Sequence, residues 1–177
     1  MYLMLDTETT GLNPLEGDQI IDIHAILTDK DGKVQDYYGS KVLPAPGVLV
    51  HPKAAEVNGY PDGWQTAISL DRAIDEFNMK FKGLDLQLVG WNPSFDMSFL
   101  RAGGWIRSFK LAYHPIDVYS LLLPHLKDCP AEAGRKYPTL GAAFKHLTPQ
   151  YDLPKMHSAV GDAMACVTLF KFAMSRC

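Results

Sequence analysis

Cysteine is scarce in this 177-residue chain: Cys129, Cys166 and Cys177 are odd in number, and no two are spaced as a CxxC pair. That pattern indicates neither a disulfide framework nor a zinc site, so the expected setting is reducing and cytoplasmic. No apolar run approaches the ~20 residues that a membrane-spanning helix requires, and no membrane partner is expected. An apolar strand beginning at residue 2 leaves no room for a signal peptide. Repeats, low-complexity tracts and linkers are lacking as well, which argues against a solenoid or a disordered tether. A single domain over residues 1–177 remains, long enough to bury roughly two thirds of its unfolded surface.

The net charge of −3 is small but unevenly distributed. Residues 1–100 carry 7 Lys/Arg against 15 Asp/Glu, and residues 101–177 carry 10 against 5. An acidic half beside a basic half suits a metal-assisted reaction on a phosphate-bearing polymer, although chance surface charge produces the same numbers.

Residues 2–5, Tyr-Leu-Met-Leu, read as a strand buried on both faces, and the chain then turns acidic. Side chains alternate along a strand, so Asp6 and Glu8 share one face, roughly 7 Å apart. Two carboxylates at the end of a buried strand repel and lose hydration unless a cation joins them. Hard ions such as Mg²⁺ or Mn²⁺ favour such oxygens; a strand running into solvent also explains them.

Further strands are expected over residues 19–28 and 33–42, joined through Asp31-Gly32, a strong hairpin signal. Together the three form an antiparallel meander. A short helix is expected at 52–58, before Gly59, and a longer one at 70–81 capped by Ser69. A strand at 86–91 ends at Asn92-Pro93, where Asn is expected to cap a helix with Pro at its first position. That helix ends at Gly103-Gly104. A strand at 116–118, a helix to 126, a loop over 128–138 and helices at 139–147 and 158–174 complete the order. The pattern is an α/β fold, a mixed sheet of meander plus parallel strands, covered by helices.

Asp96 falls one turn into the helix after Asn92, and Asp162 in the first turn of the last helix, close after His157. An acid near a helix N-terminus is stabilised by the macrodipole, by about 0.3–1 kcal/mol, which accounts for either alone. Brought to the sheet edge bearing Asp6 and Glu8, the four carboxylates and the imidazole make a two-metal site for phosphodiester hydrolysis. The histidine would accept the proton of the attacking water.

Asp-Thr-Glu-Thr-Thr-Gly (6–11), Asn92-x-x-Phe95-Asp96 and His157-x-x-x-x-Asp162 resemble, in order, the three motifs of the DEDDh 3′→5′ exonucleases. That family includes proofreading subunits of bacterial replicative polymerases, ribonuclease T and oligoribonuclease. The resemblance implies a ribonuclease H-like domain with Asp6, Glu8, Asp96 and Asp162 as ligands of two Mg²⁺ or Mn²⁺ ions and His157 as general base. It also implies contacts from Thr9, Leu12 and Asn58 to the terminal nucleotide, although the family commonly has His where Asn58 stands. Phe95, Trp64, Trp91 and Trp105 are expected to pack in the interior. His114, His125 and His146 are expected to be structural or on the surface. Arg135, Lys136 and Tyr137 suit single-strand binding and base stacking, or equally a solvated loop.

The implied activity is removal of nucleotides from the 3′ end of single-stranded nucleic acid, DNA favoured, with a polymerase partner or a homodimer as possibilities. Action on RNA or short oligoribonucleotides is the enzymatic alternative, but the first motif there usually reads Asp-Leu-Glu-Met-Thr-Gly. A non-catalytic subunit that binds nucleic acid or a polymerase is the rival of another class, and all five expected site positions are filled.

Overall fold

The computed structural model describes residues 1–131 and 134–176. Cys177 and the middle of the 128–138 loop lie outside the described residues. Strand β1 (Tyr2–Thr9) is the axis of the sheet, pairing antiparallel with β2 (Ile20–Thr28), which pairs antiparallel with β3 (Val34–Leu43). This is the expected meander. On its other edge β1 runs parallel to β5 (Asp85–Gly90). Two-residue strands finish the sheet: β4 (Ile68–Ser69) beside β3, and β6 (Lys110–Leu111) and β7 (Ile116–Asp117) along the outer edge of β5. Pairings this short leave no alternation to read in the sequence, and β4 and β6 were not expected.

Helices lie on both faces, each face closing its own core. Leu3 and Leu5 point with Ile23, Ala25 and Leu27 toward α2 (Leu70–Lys80) and α3 (Pro93–Ala102). Phe77 centres that core, its ring meeting Tyr38, Phe81, Trp105 and Phe109 edge-on. Met4, Ile26 and Val89 point the other way, toward α4 (Val118–Leu122), α5 (Leu140–Leu147) and α6 (Ala159–Met174). Alternation along β1 therefore decides which helices each side chain can meet.

The helix ends follow the sequence chemistry closely. Ser69, Thr139 and Ser158 cap α2, α5 and α6 through their hydroxyls. The short α1 (Pro52–Asn58) ends on Gly59 at φ 79°, a left-handed conformation that glycine adopts without steric cost. Asn92 departs from expectation. It sits before Pro93 in the left-handed region at φ 57°, and its side chain makes no capping bond. Its backbone N–H instead donates to Asp117 Oδ1 at 3.1 Å, tying the start of α3 to β7.

Candidate active site

The even-numbered residues of β1 carry the acidic face. Asp6 and Glu8 follow Met4 on the α6 side of the sheet, and the β1–β2 register slips between Glu8 and Thr9. Such irregularities re-aim side chains at the ends of paired strands. Asp162, at the fourth position of α6, completes a cluster: Asp6, Glu8 and Asp162 each place a carboxylate oxygen within 4.8 Å of the others.

Asp96 arrives by a different route. It is the fourth residue of α3, which packs on the opposite face, and it reaches the edge between β1 and β5 buried. Thr7, between the two acids but facing the other way, donates its hydroxyl to Asp96 Oδ1 at 2.8 Å. Three of the four expected carboxylates thus converge, and the fourth is held beside Asp6 by the threonine that separates Asp6 from Glu8. Sequence reasoning passed over Thr7, although alternation alone puts it on the α3 side.

The electrostatics fit crowded acids away from water. Burial raises the Asp6 carboxyl well above its ordinary range, and the charges of Asp96 and Asp162 raise it further. Glu8 is pushed up to about 8, first by burial and then by Asp162 and Asp22, with Lys41 opposing. Burial raises Asp96 too, against the Thr7 hydrogen bond, and lifts Asp162 to about 6 against the pull of His157. Asp162 Oδ1 is buried without a hydrogen-bond partner among the described residues. An orphaned carboxylate oxygen facing two further carboxylates is a donor set for a hard divalent cation, so the residues fit the metal that the sequence implies.

His157 stands at φ 58°, uncommon for a residue with a side chain. Its backbone N–H donates to Asp162 Oδ2 at 3.2 Å, while Ser158 Oγ donates to the Lys155 carbonyl and accepts from Gly161 N–H. A Cβ on Gly161 would collide with that Lys155 carbonyl, so the helix start and the loop fit together only with glycine there. His157 is exposed and lines both of the cavities that border the carboxylates.

Around this centre the remaining expectations divide. Leu12 projects at 84% exposure into the rim of a cavity that Thr9 and Asn58 also line. Asn58 Nδ2 donates to the Thr9 carbonyl, and Thr9 turns its own hydroxyl to the Gly11 carbonyl. Phe95 packs on Phe99 as expected, yet it also lines that cavity. Trp64 and Trp105 are buried. Trp91 packs against the α4–α6 core but is only half-buried and borders the cavity beside Asp6, so packing alone does not describe it; His146 is on the surface, as expected, and lines the same cavity. Asp22, cross-strand neighbour of Glu8, is a buried fifth carboxylate that the sequence reading missed. Lys41 meets it at 3.3 Å and lies over the Trp64 ring, so the acid next to Glu8 carries its own counter-charge.

Over 108 residues the chain is 33% identical to the PolC-type DNA polymerase III of Thermotoga maritima, covering 60% of this chain and 7% of that protein. Over 169 residues it is 28% identical to the PolC-type DNA polymerase III of Oceanobacillus iheyensis, covering 93% and 11%. The chain thus spans only a small part of the curated relatives it matches. Exonuclease I of E. coli, solved with a dT13 oligonucleotide, superposes with a TM-score of 0.74 at 20% identity over 99% of this chain and 41% of that one, a likeness of fold. Residues 3–170 match the family model described as Exonuclease. With that match over nearly its whole length, the chain belongs to the exonuclease family of divalent-metal-dependent nucleases.

Proposed function

We propose that this protein removes nucleoside 5′-monophosphates one at a time from the 3′ end of single-stranded DNA. The observation that carries the reading is the half-buried triad Asp6, Glu8 and Asp162, with an orphaned Asp162 oxygen close to an exposed His157. In this scheme Asp6, Glu8 and Asp162 would hold one Mg²⁺ or Mn²⁺ ion, and Asp96 with Asp6 would hold a second. Bound there, the ions supply the positive charge that acidifies water and offsets the charge growing on the phosphoryl oxygens.

The chain's own groups do the rest. An imidazole nitrogen of His157 takes the proton of the attacking water. The water oxygen bonds to phosphorus as the phosphorus–O3′ bond breaks, freeing the terminal nucleotide with its 5′-phosphate, and O3′ takes a proton from solvent to become the new 3′-hydroxyl of the shortened strand. Thr9, Leu12 and Asn58 position the terminal nucleoside. Support for DNA comes from the exonuclease I relative crystallised with a dT13 strand, and the PolC relatives make a replicative polymerase the partner class to test.

The test uses 5′-labelled DNA and RNA strands of matched sequence with Mg²⁺ or Mn²⁺. A descending ladder with DNA favoured is expected, slowed by a 3′-terminal phosphate. Faster digestion of RNA would move the substrate to the alternative class. Internal cleavage of a circular single strand would sink the exonuclease assignment and leave only the metal chemistry.

A further inference from the structure

The carboxylates stand between two cavities whose linings beyond the carboxylates themselves differ in charge. One, of 850 Å³, is lined by Glu8 and Leu12 and, further along, by Glu16, Asp18 and Glu56, which outnumber its Lys53 and His51. The other, of 590 Å³, opens past Asp6 and Asp162. Beyond those two acids its ionisable lining is Lys145, His146 and His157, and Trp91, Leu140 and Met156 supply apolar wall. His157 belongs to both cavities and marks the division. From Trp91 an aromatic line continues outward, to Tyr119 with ring centres 5.3 Å apart and then to exposed Tyr137 at 5.9 Å, with Lys136 Nζ 5.3 Å from the Tyr137 ring centre.

A strand cleaved at its last linkage makes unequal demands on the two sides of the scissile phosphate. On the 3′ side lies one nucleoside and no further phosphate. On the 5′ side every added nucleotide brings another negative charge and another base. Resting on the exonuclease reading above, we propose that the Trp91–Lys145 cavity receives the nucleotides upstream of the scissile phosphate. The acidic end of the other cavity restricts it to a terminal nucleoside without a phosphate. Lys145 and Lys136 attract the upstream phosphates, Trp91 and Tyr137 offer ring surface to the bases, and Glu16 and Glu56 repel a strand entering in reverse. The charge difference thereby sets the direction in which the strand lies.

The experiment compares a T10 oligonucleotide with the p-nitrophenyl ester of thymidine 5′-monophosphate, both with Mn²⁺. In the ester, water attacks the same phosphorus and p-nitrophenolate leaves in place of the upstream strand, so the comparison isolates the upstream side. Lys145→Glu, at an exposed helix position, and Trp91→Leu should each lower the oligonucleotide-to-ester ratio of kcat/KM about tenfold. Anisotropy of 5′-labelled T10 in Ca²⁺ should show binding weakened by a similar factor for Lys145→Glu, which keeps the test open if Trp91→Leu misfolds. The double variant Glu16→Lys/Glu56→Lys should narrow the gap between 3′-hydroxyl and 3′-phosphate T10. An unchanged ratio in Lys145→Glu, with unchanged T10 affinity, would overturn the path. Failure of the unmodified protein to hydrolyse either substrate would instead overturn the exonuclease reading on which the path rests.

Discussion

Among single residues, the four clustered carboxyls share one consequence of burial and mutual repulsion. A carboxyl whose folded-state pKa is raised contributes stability that is present below its unfolded pKa and is lost as pH rises through the folded value. Glu8 moves from 4.5 to about 8 and Asp162 from 3.8 to about 6, both upward. The melting temperature of the protein in EDTA should therefore fall from about pH 4.5 to about pH 8, and Mn²⁺ should flatten that fall by favouring the ionised carboxylates. A metal-free melting temperature that rose across the interval would contradict the burial account. His157 makes the second prediction at this scale. Its side chain is exposed and only its backbone is bonded to Asp162, so His157→Ala should leave Mn²⁺ affinity nearly intact while lowering turnover by about 10²–10⁴-fold. Wild-type turnover by that variant at neutral pH would remove the general-base assignment.

In the secondary-structure elements, the same device occurs twice. A residue in the left-handed region, Asn92 or His157, precedes a helix whose fourth residue is a buried aspartate, Asp96 or Asp162. Each turn brings its helix in over the end of β1, one from each face of the sheet. The second turn depends on Gly161, whose missing side chain makes room for the Lys155 carbonyl. Gly161→Ala should cost about 1–3 kcal/mol through overpacking, and turnover should drop about 100-fold because His157 and Asp162 shift together. Thermal melts and single-turnover rates would check this; an unperturbed rate would show that the loop tolerates the displacement. The Asp22–Lys41 pair ties β2 to β3 beside Glu8 in a similar way. Lys41→Met leaves a buried carboxylate without its partner, and a loss of about 1–3 kcal/mol is expected by chemical denaturation.

For the molecule as a whole, the acidic and basic halves of the chain meet at one place. The acidic half supplies Asp6, Glu8 and Asp96, and the basic half supplies His157, Asp162 and Lys145. A cation that binds only the folded state links both halves and stabilises the fold by mass action. At a hundredfold excess over Kd that amounts to about 2.7 kcal/mol, or a rise of roughly 5–10 °C for a domain of this size. Mg²⁺ or Mn²⁺ should produce such a rise in differential scanning fluorimetry, and Asp6→Ala should abolish most of it. No rise at millimolar Mn²⁺ would count against the whole carboxylate assignment.

Much of this architecture was legible in the sequence because local chemistry determines it. Apolar runs marked β1 and β2, Asp31-Gly32 their hairpin partner β3, and Ser69, Thr139 and Ser158 the helix starts. The spacing of Asp6 and Glu8 determined that both share one face of a strand, whatever the rest of the chain does. Tertiary structure decided what lies across from them. Only packing could show that Thr7 grips Asp96 from the opposite face, that Asp22 and Lys41 sit next to Glu8, and that Trp91, packed at the margin of a core, also borders a cavity. The two-residue strands and the left-handed Asn92 belong to the same class. In each case the deciding contact joins residues far apart in the chain, and its free energy comes from burial and hydrogen bonding that exist only once the sheet and its two helical layers have closed.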